Sequence, residues 1–306
     1  MHPYLLRIPL PGGGTLKVAS YGFLIMVGFL LALYLAQRRA RRMGVSPNDL
    51  FDSAVAMLIA GIVGARLFFV IEFWDQLGFG ENPIEIFRID KGGLVFYGGL
   101  IGGGVALLIM VLRRKMPFRA TLGVVSSVIP LGHAFGRLGC FFNGCCYGWI
   151  TRSLFGVRFP RILEEGHVQR EVYNVGDMHI TGSPPFIDHL TRIPPLVDKT
   201  DLWSLPVHPT QLYAVGYNLL IFAFLTWMLP RRWRAGEMAW LYGIFYGSFR
   251  FANEMLRVTE PLFWGLTVAQ WICLPLVLFA LTMFAWQRRK PHEPLPAPVP
   301  AEKEDR

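Results

Sequence analysis

Three arginines lie inside long apolar stretches of the chain, where a charged side chain is costly: Arg66, Arg137 and Arg250. At the centre of a membrane-spanning helix each would cost at least about 2.5–3.5 kcal/mol, so each is expected to face the protein interior and to have an anionic partner. Arg137 and Arg250 could bind a phosphate together, because a planar guanidinium binds phosphate oxygens bidentately. A phospholipid headgroup would supply such an anion within the membrane.

Two of the arginines near these stretches have an alternative in which no ligand is involved. Arg66 and Arg257 could belong to an internal ion-pair network, with Glu72 and Glu254 as the carboxylate partners. A buried cation needs such a partner or a bound anion. Both interpretations of these two residues stay open at this point.

The polar residues in the apolar stretches recur at helical spacing, which indicates faces that point into a helix bundle. One stripe holds His133, Arg137, Cys140 and Gly144, and a second holds Arg250, Glu254 and Arg257.

Three of the four cysteines lie close together in sequence: Cys140, Cys145 and Cys146, with Cys273 apart from them. Three or four ligands, usually with CxxC spacing, would be expected of a metal site, and this spacing fits poorly. A disulfide between Cys140 and Cys145 is a second alternative if the site faces an oxidising exterior. Free thiols that pack as small apolar groups are the default, and the sequence predicts neither a metal nor a cofactor.

The elements that must position these residues are membrane-spanning helices. The chain has 306 residues, of which 53% are hydrophobic and only 17% are charged, against about a quarter charged in soluble domains. The sequence predicts an all-α polytopic membrane protein of about seven spans, each near the ~20 residues that cross the hydrocarbon core. The apolar blocks are 18–36, 54–74, 94–112, 120–142, 210–229, 237–252 and 266–286.

Basic residues flank alternate spans, which predicts the orientation and argues against nucleic-acid binding as the reason for the net charge of +9. Clusters follow spans one, three, five and seven: 38–42, 113–119, 231–234 and 288–290. Arg88 and Lys91 after span two, and Arg257 after span six, form poorer groups. Because basic loops stay cytoplasmic, the N-terminus is expected outside and the C-terminus inside.

The domain organisation follows from these spans. We expect spans one to four in residues 1–148, an extracytoplasmic head domain in 149–207, spans five to seven in 208–290, and a disordered cytoplasmic tail in 291–306.

The orientation places the polar residues at one level. With a rise of 1.5 Å per residue, Arg66, Arg137 and Arg250 lie about 18, 25 and 20 Å along outward-running spans. All three therefore fall in the outer half of the membrane. Further polar residues near the outer ends of their spans are expected at the same level: Tyr21, Tyr97, His208 and Gln270.

Residues 133–144, HAFGRLGCFFNG, resemble the signature of the prolipoprotein diacylglyceryl transferases. Five further segments match the family in order on the expected spans: 64–68 (GARLF), 92–102 (GGLVFYGGLIG), 208–213 (HPTQLY), 246–251 (YGSFRF) and 269–270 (AQ), with Tyr21-Gly22 opening span one. The resemblance therefore covers most of the chain.

The resemblance implies a reaction: the diacylglyceryl group of phosphatidylglycerol passes to the lipobox cysteine of a bacterial prolipoprotein, a thioether forms and glycerol phosphate leaves. It implies that the protein works at the outer face of the cytoplasmic (inner) membrane, without a cofactor. Candidate catalytic residues are Arg137, Arg250, Tyr21, Tyr97 and His133. Candidate phosphatidylglycerol-binding residues are Arg137, Arg250, Asn143, Gly148, Arg66 and Gln270. Residues of structural or catalytic importance are His208, Glu254, Arg257, Cys140 and Cys145.

The chain departs from the family pattern at several positions. Tyr97 stands where His is common, Cys140 where Asn is common, Cys145 where Glu is common, and Ala214 where the His208 motif continues with Glu. These changes remove a proposed base, and a tyrosine with a pKa near 10 is a poor one at neutral pH. His133 or His208 could substitute, or a positive site could lower the pKa of the substrate thiol.

Two other functions stay open. One is a family relative in which the Cys140–Cys146 cluster has thiol or redox chemistry. The other is a phospholipid or anion transporter that uses the same arginines. A transporter would need polar groups through the inner halves of the spans, and these halves are almost wholly apolar.

Overall fold

A computed structural model describes residues 4–9, 15–74, 83–88, 93–160, 171–175, 178–192, 194–198, 201–229 and 236–290. Eight α-helices account for most of these: α1 (Ser20–Arg42), α2 (Pro47–Glu72), α3 (Phe96–Arg113), α4 (Phe118–Asn143), α5 (Pro184–Thr191), α6 (Thr210–Met228), α7 (Glu237–Met255) and α8 (Val268–Arg289). Two antiparallel hairpins pair β1 (Tyr4–Pro9) with β2 (Thr15–Ala19) and β3 (Glu171–Val175) with β4 (Met178–Gly182).

The fold class predicted from the sequence is confirmed: the chain is an all-α, polytopic membrane protein. Each of the seven apolar blocks coincides with a long helix. Six of these helices, all except α7, are long and apolar enough to cross a membrane. Helix α7 is less apolar because it contains Glu237, Arg250 and Glu254, and all three are buried.

Some predictions fall on residues outside the described ranges. They are the basic cluster Arg231, Arg232 and Arg234, the weaker Lys91, and the tail 291–306. The short elements β1 to β4 and helix α5 were not predicted, because none of them has a long apolar run.

The chain divides into two compact units. The first comprises Met1–Ala32, Ser126–Arg232 and Glu237–Pro291, and the second is formed mainly by Leu33–Val125. In the second unit, α2 and α3 approach so closely that their backbones touch. A side chain at Gly98 would collide with the carbonyl oxygen of Gly64, and one at Gly102 with that of Ala60. Small residues permit this close approach of the two backbones.

In the first unit, α7 packs against α8 at two glycines. A side chain at Gly243 would lie 3.1 Å from the Cβ of Ala280, and one at Gly247 would meet Val277. Glu237 at the start of α7 forms an ion pair with Arg288 at the end of α8, with 2.9 Å between their atoms. These contacts place the two helices side by side and antiparallel.

Residues between α4 and α6 form a small structured region with its own apolar cluster. Phe186, Ile187 and Leu190 of α5 pack with Val197, and Leu205 covers them. His189 is also buried, and its Nδ1 accepts a hydrogen bond from the backbone N–H of Leu205 at 3.2 Å. Burial lowers the pKa of His189, because a charged imidazole would lose its hydration there.

Candidate functional site

The ends of three helices are joined by backbone hydrogen bonds. Just after α4, the N–H of Gly148 donates to the carbonyl of His208, which precedes α6, at 2.9 Å. The N–H of Trp149 donates to the carbonyl of Leu256, just after α7, at 2.8 Å. The C-terminal ends of α4 and α7 and the N-terminal end of α6 therefore lie at one level.

Gly148 lies at the centre of this junction, and no larger residue fits there. A Cβ at this position would be 2.8 Å from the Cβ of His208 and from Cγ2 of Thr210, and would also collide with the carbonyl oxygen of Leu256. The resemblance assigned Gly148 to lipid binding. The structure gives it a second reason to be glycine, since it permits three chain segments to meet.

Two of the candidate arginines share one carboxylate. Glu254, whose side chain is 2% exposed, forms an ion pair with Arg250 one turn before it. Arg257 Nη1 lies 3.7 Å from the same carboxylate, and the Thr267 hydroxyl lies 3.4 Å from it. The internal network that the sequence offered for Arg257 and Glu254 is thus present, and it includes Arg250 as well.

Arg137 differs from the other candidate arginines. Its guanidinium group has neither an ion pair with a carboxylate nor a hydrogen bond among the described residues. It is half-buried and interacts electrostatically with Cys146, Cys140, Tyr217 and Tyr246. His133 and Tyr217 each interact electrostatically with both Arg137 and Arg250, so the two arginines have these neighbours in common. Glu254 is thus paired with Arg250 and Arg257, whereas Arg137 has no carboxylate partner among the described residues.

Tyrosine and histidine rings surround these cations. The rings of His133 and Tyr246 are 5.1 Å apart between centroids, and those of Tyr217 and Tyr246 are 6.4 Å apart. Tyr21, in the first turn of α1, packs against α4 so closely that a Cβ at Gly139 would lie 2.8 Å from its ring. Tyr21 also interacts electrostatically with Arg137 and the cysteines.

The thiols of Cys140, Cys145 and Cys146 form one cluster. Their three sulfur atoms all lie within 4.8 Å of one another, and all three thiols are free. The Nη2 of Arg257 donates to Cys146 Sγ at 3.1 Å. The pKa of Cys146 is lowered, chiefly by its interactions with the neighbouring thiols of Cys140 and then Cys145, and Arg257 adds positive charge beside it.

The cysteine loop is fixed by the first turn of α6. The Thr210 hydroxyl donates to the carbonyl of Cys146 at 2.5 Å, and Nε2 of Gln211 donates to the carbonyl of Cys145 at 2.6 Å. Asn253 of α7 in turn donates to the carbonyl of Thr210 at 3.2 Å. The loop is therefore held from two helices through its backbone.

The remaining candidates of the first unit have local structural contacts. His208 Nδ1 lies 3.1 Å from the Tyr213 hydroxyl. Gln270 completes a capping box at the start of α8, where its side chain accepts from the N–H of Thr267 at 3.0 Å. Asn143 is the last residue of α4 and is half-buried. Their roles in binding a lipid stay predictions.

Arg66 and Tyr97 belong to the second unit. Arg66 donates hydrogen bonds to three backbone carbonyls, those of Glu85, Ile86 and Gly93, at 2.5, 2.7 and 3.0 Å. These bonds hold the segment between α2 and α3, so Arg66 has carbonyl partners where the sequence suggested Glu72. Tyr97 is 40% exposed in the first turn of α3. That either residue contributes to the site of the first unit stays a prediction.

Sequence reasoning missed three polar residues of the site: Tyr217, Asn253 and Thr267. Tyr217 lies seven residues after Thr210 and so on the same face of α6, which is a signal that the spacing contained. Asn253 directly precedes Glu254 inside an apolar helix. Thr267 had no comparable signal, because its contact with Glu254 depends on how α7 and α8 pack.

These features define a multi-pass membrane protein with a cluster of guanidinium, phenol and thiol groups where helix ends meet. The sequence profile of the prolipoprotein diacylglyceryl transferase family matches residues 10–286. A phosphatidylglycerol–prolipoprotein diacylglyceryl transferase of Symbiobacterium thermophilum is 32% identical over 288 residues, 92% of each chain. Proteins of the same name from Bordetella bronchiseptica and Streptococcus agalactiae are 29% and 30% identical, over 94% and 95% of this chain and 96% and 98% of theirs.

The chain therefore belongs to the prolipoprotein diacylglyceryl transferase family, as its motifs predicted.

Proposed function

We propose that this membrane enzyme transfers the diacylglyceryl group of phosphatidylglycerol to the lipobox cysteine of bacterial prolipoproteins. A carbon–sulfur bond forms at the glyceryl carbon, the carbon–oxygen bond to phosphate breaks, and glycerol phosphate leaves. The names of the relatives supply the reaction, and the matches extend along nearly the whole chain. They favour this reaction over a redox relative or a transporter.

Arg137 is the observation that carries the proposal. A half-buried guanidinium without a carboxylate partner among the described residues can bind an external anion without first breaking an ion pair. Arg250 interacts with two of the same neighbours, His133 and Tyr217, and is held by Glu254. We assign the headgroup phosphate to these two arginines, with Arg137 as the principal contact.

The same cations would assist the chemical step. The phosphate gains charge as its bond to the glyceryl carbon breaks, and fixed donors in a site of low dielectric stabilise that charge strongly. Tyr21 and His133 lie around Arg137 and are assigned to the reaction centre, as is Tyr97 of the second unit. Asn143, Gly148, Gln270 and Arg66 are assigned to headgroup binding, either directly or by fixing the site.

We further propose seven spans, with α7 as the sixth, in the bacterial inner membrane. Its 19 residues are about 29 Å long, close to the ~30 Å hydrocarbon core. The junction at Gly148 supports this, because the end of α7 lies level with the start of α6. The basic clusters then assign the junction and the head region to the outside, together with the N-terminus, and the C-terminus to the cytoplasm.

Transfer can be measured with purified protein, phosphatidylglycerol and a lipobox peptide, and also by complementation of a bacterial strain depleted of its own transferase. The wild-type chain is expected to rescue growth. Arg137→Ala is expected to lower kcat/KM by about 100-fold or more, as for loss of a donor that stabilises the developing anion. Arg137→Lys should recover only part of it, because lysine cannot bind phosphate bidentately.

Arg113→Ala is the matched control, because Arg113 is an exposed arginine at the end of α3 and is not one of the candidate residues. It should leave transfer unchanged. Full activity of Arg137→Ala, at wild-type levels of folded protein, would refute the role of Arg137. A folded wild-type chain without transfer would refute the function.

A further inference from the structure

The cluster of Cys140, Cys145 and Cys146 has no role in the reaction as described so far. It is nevertheless carefully positioned. The loop carbonyls of Cys145 and Cys146 accept hydrogen bonds from the first turn of α6, and Cys146 adopts a φ of 62°. Such a left-handed conformation is unfavourable for a cysteine and persists only where the surroundings hold it. This unfavourable conformation occurs at the residue whose thiol completes the group of three.

The geometry of the three sulfur atoms suits a metal ion. In a tetrahedral zinc site with Zn–S bonds of about 2.3 Å, the sulfur atoms are about 3.8 Å apart. Here all three sulfur atoms lie within 4.8 Å of one another. Small rotations of the cysteine side chains would therefore bring the sulfur atoms to the spacing that a bound zinc ion requires. Thiolates are also the ligands that select zinc and other soft cations over magnesium or calcium.

The charges around the cluster also fit a metal. Three thiolates with one Zn²⁺ have a net charge of −1, which needs compensation at a half-buried position. Arg257 already lies beside Cys146, with 3.1 Å between Nη2 and Sγ. Arg137 interacts electrostatically with Cys140 and Cys146. The arginines would thus stabilise a zinc–trithiolate group as well as an anionic lipid.

Three protein ligands leave the fourth position of a tetrahedral zinc ion open, which is the pattern of catalytic zinc sites. The transfer reaction needs the substrate cysteine as a thiolate, and a thiol that binds zinc is deprotonated outright. The three cysteines are only half-buried, so a substrate thiol can approach them. The site lies beside Arg137, where the phosphate ester is expected.

We propose that Cys140, Cys145 and Cys146 bind one zinc ion whose fourth position takes and activates the lipobox cysteine of the substrate. The inference rests on the proposed transfer reaction. The substrate S–H loses its proton to water as the sulfur binds zinc. The sulfur electron pair then forms the carbon–sulfur bond, and the electrons of the carbon–oxygen bond leave with the phosphate. The neutral thioether is a weak ligand and dissociates.

Metal binding is tested apart from activity. Purified full-length protein in detergent is stripped with a chelator, and zinc is returned while free metal is followed with a chromophoric competitor. We expect one tightly bound zinc per chain. Cobalt in place of zinc should give the intense visible and near-ultraviolet absorption of tetrahedral thiolate coordination. Single Cys→Ala variants at the three positions should each lower zinc affinity by at least 100-fold.

Cys273→Ala is the matched control, because Cys273 is a free thiol in α8 that lies outside the cluster. It should bind zinc like the wild type. Activity completes the test: the stripped enzyme should lose transfer and regain it with zinc. The three cluster variants should lose transfer, yet still bind phosphatidylglycerol.

Each outcome separates the metal site from the transfer reaction. Full transfer by metal-free enzyme, or by the cluster variants, would overturn the zinc proposal and leave the transferase intact. Isolation of the active enzyme with a disulfide within the cluster would also overturn it. Stoichiometric zinc at the three cysteines, without any transfer by the wild type, would support the metal site and refute the proposed function.

Discussion

Glu254 is the carboxylate on which the arrangement of the arginines depends, and its removal should have a large effect on stability. Glu254→Gln keeps the shape of the side chain and removes its charge. The side chains of Glu254 and Arg250 are 2% and 11% exposed, so the pair is almost completely withdrawn from solvent. Removal of one partner from a buried pair costs about 3–5 kcal/mol, because the other charge is left uncompensated.

The expected loss is at the lower end of that range, about 3 kcal/mol, because the glutamine oxygen can still accept a hydrogen bond. Arg257 adds little, since its Nη1 is 3.7 Å from the carboxylate and its side chain is 23% exposed. The free energy of unfolding can be measured by SDS titration of protein in mixed micelles. Glu260→Gln, at an exposed glutamate five residues beyond α7, should change it by less than about 0.5 kcal/mol.

A double variant separates loss of the pair from loss of shape. Arg250→Met with Glu254→Gln removes both charges, so it should be more stable than Glu254→Gln alone by about 1–3 kcal/mol. A loss below about 1 kcal/mol for Glu254→Gln would refute the reasoning. So would a double variant no more stable than the single one, since the unpaired charge would then not be the cause.

Two further predictions concern the junction and the head region. Gly148→Ala should destabilise the protein by about 1–3 kcal/mol and lower transfer, because the new methyl group meets the backbone at Leu256; Gly216→Ala in α6, with nothing within 4 Å, should not. Equal free energies of unfolding for Gly148→Ala and Gly216→Ala would show that Gly148 is not sterically restricted. Because burial lowers the pKa of His189, its contribution to stability is complete above its ordinary pKa of about 6.5 and is lost as the pH falls towards the folded-state pKa. Amides near Leu205 should therefore be less protected from hydrogen exchange at pH 5 than at pH 7.5, after correction for the effect of pH on the intrinsic exchange rate. The variant His189→Gln should remove that difference in protection.

Long helices were predictable here because lipid requires long apolar runs with internally satisfied backbones. The same physics explains the weakest prediction, α7. Helix α7 contains charged residues that are buried in the folded protein. Its composition is therefore less apolar than that of the other long helices, although the helix packs within the bundle. Short elements such as β1, β2 and α5 depend on local pairing and on contacts distant in sequence, which apolar runs do not indicate.

The candidate site was predictable in its residues more than in its contacts. Helical spacing brought His133, Arg137 and Cys140 together, and the motifs added Arg250. The sequence offered Glu254 as a partner of Arg257, but it did not show that Arg250 shares the same carboxylate. Nor could it show that Arg66 donates to backbone carbonyls. Every residue has a carbonyl group, so residue type does not indicate which carbonyl accepts the bond.

A buried cationic site has two requirements, and the arginines meet them through different contacts. A guanidinium that binds a lipid phosphate must also be tolerated when no lipid is bound. Arg250 and Arg257 meet this requirement through Glu254, whose single charge leaves both of them able to attract an anion. Arg137 has no such partner among the described residues and is instead surrounded by tyrosines and thiols. If thiolates bound to zinc provide the missing negative charge, the cysteines that depart from the family pattern would both support Arg137 and activate the substrate thiol.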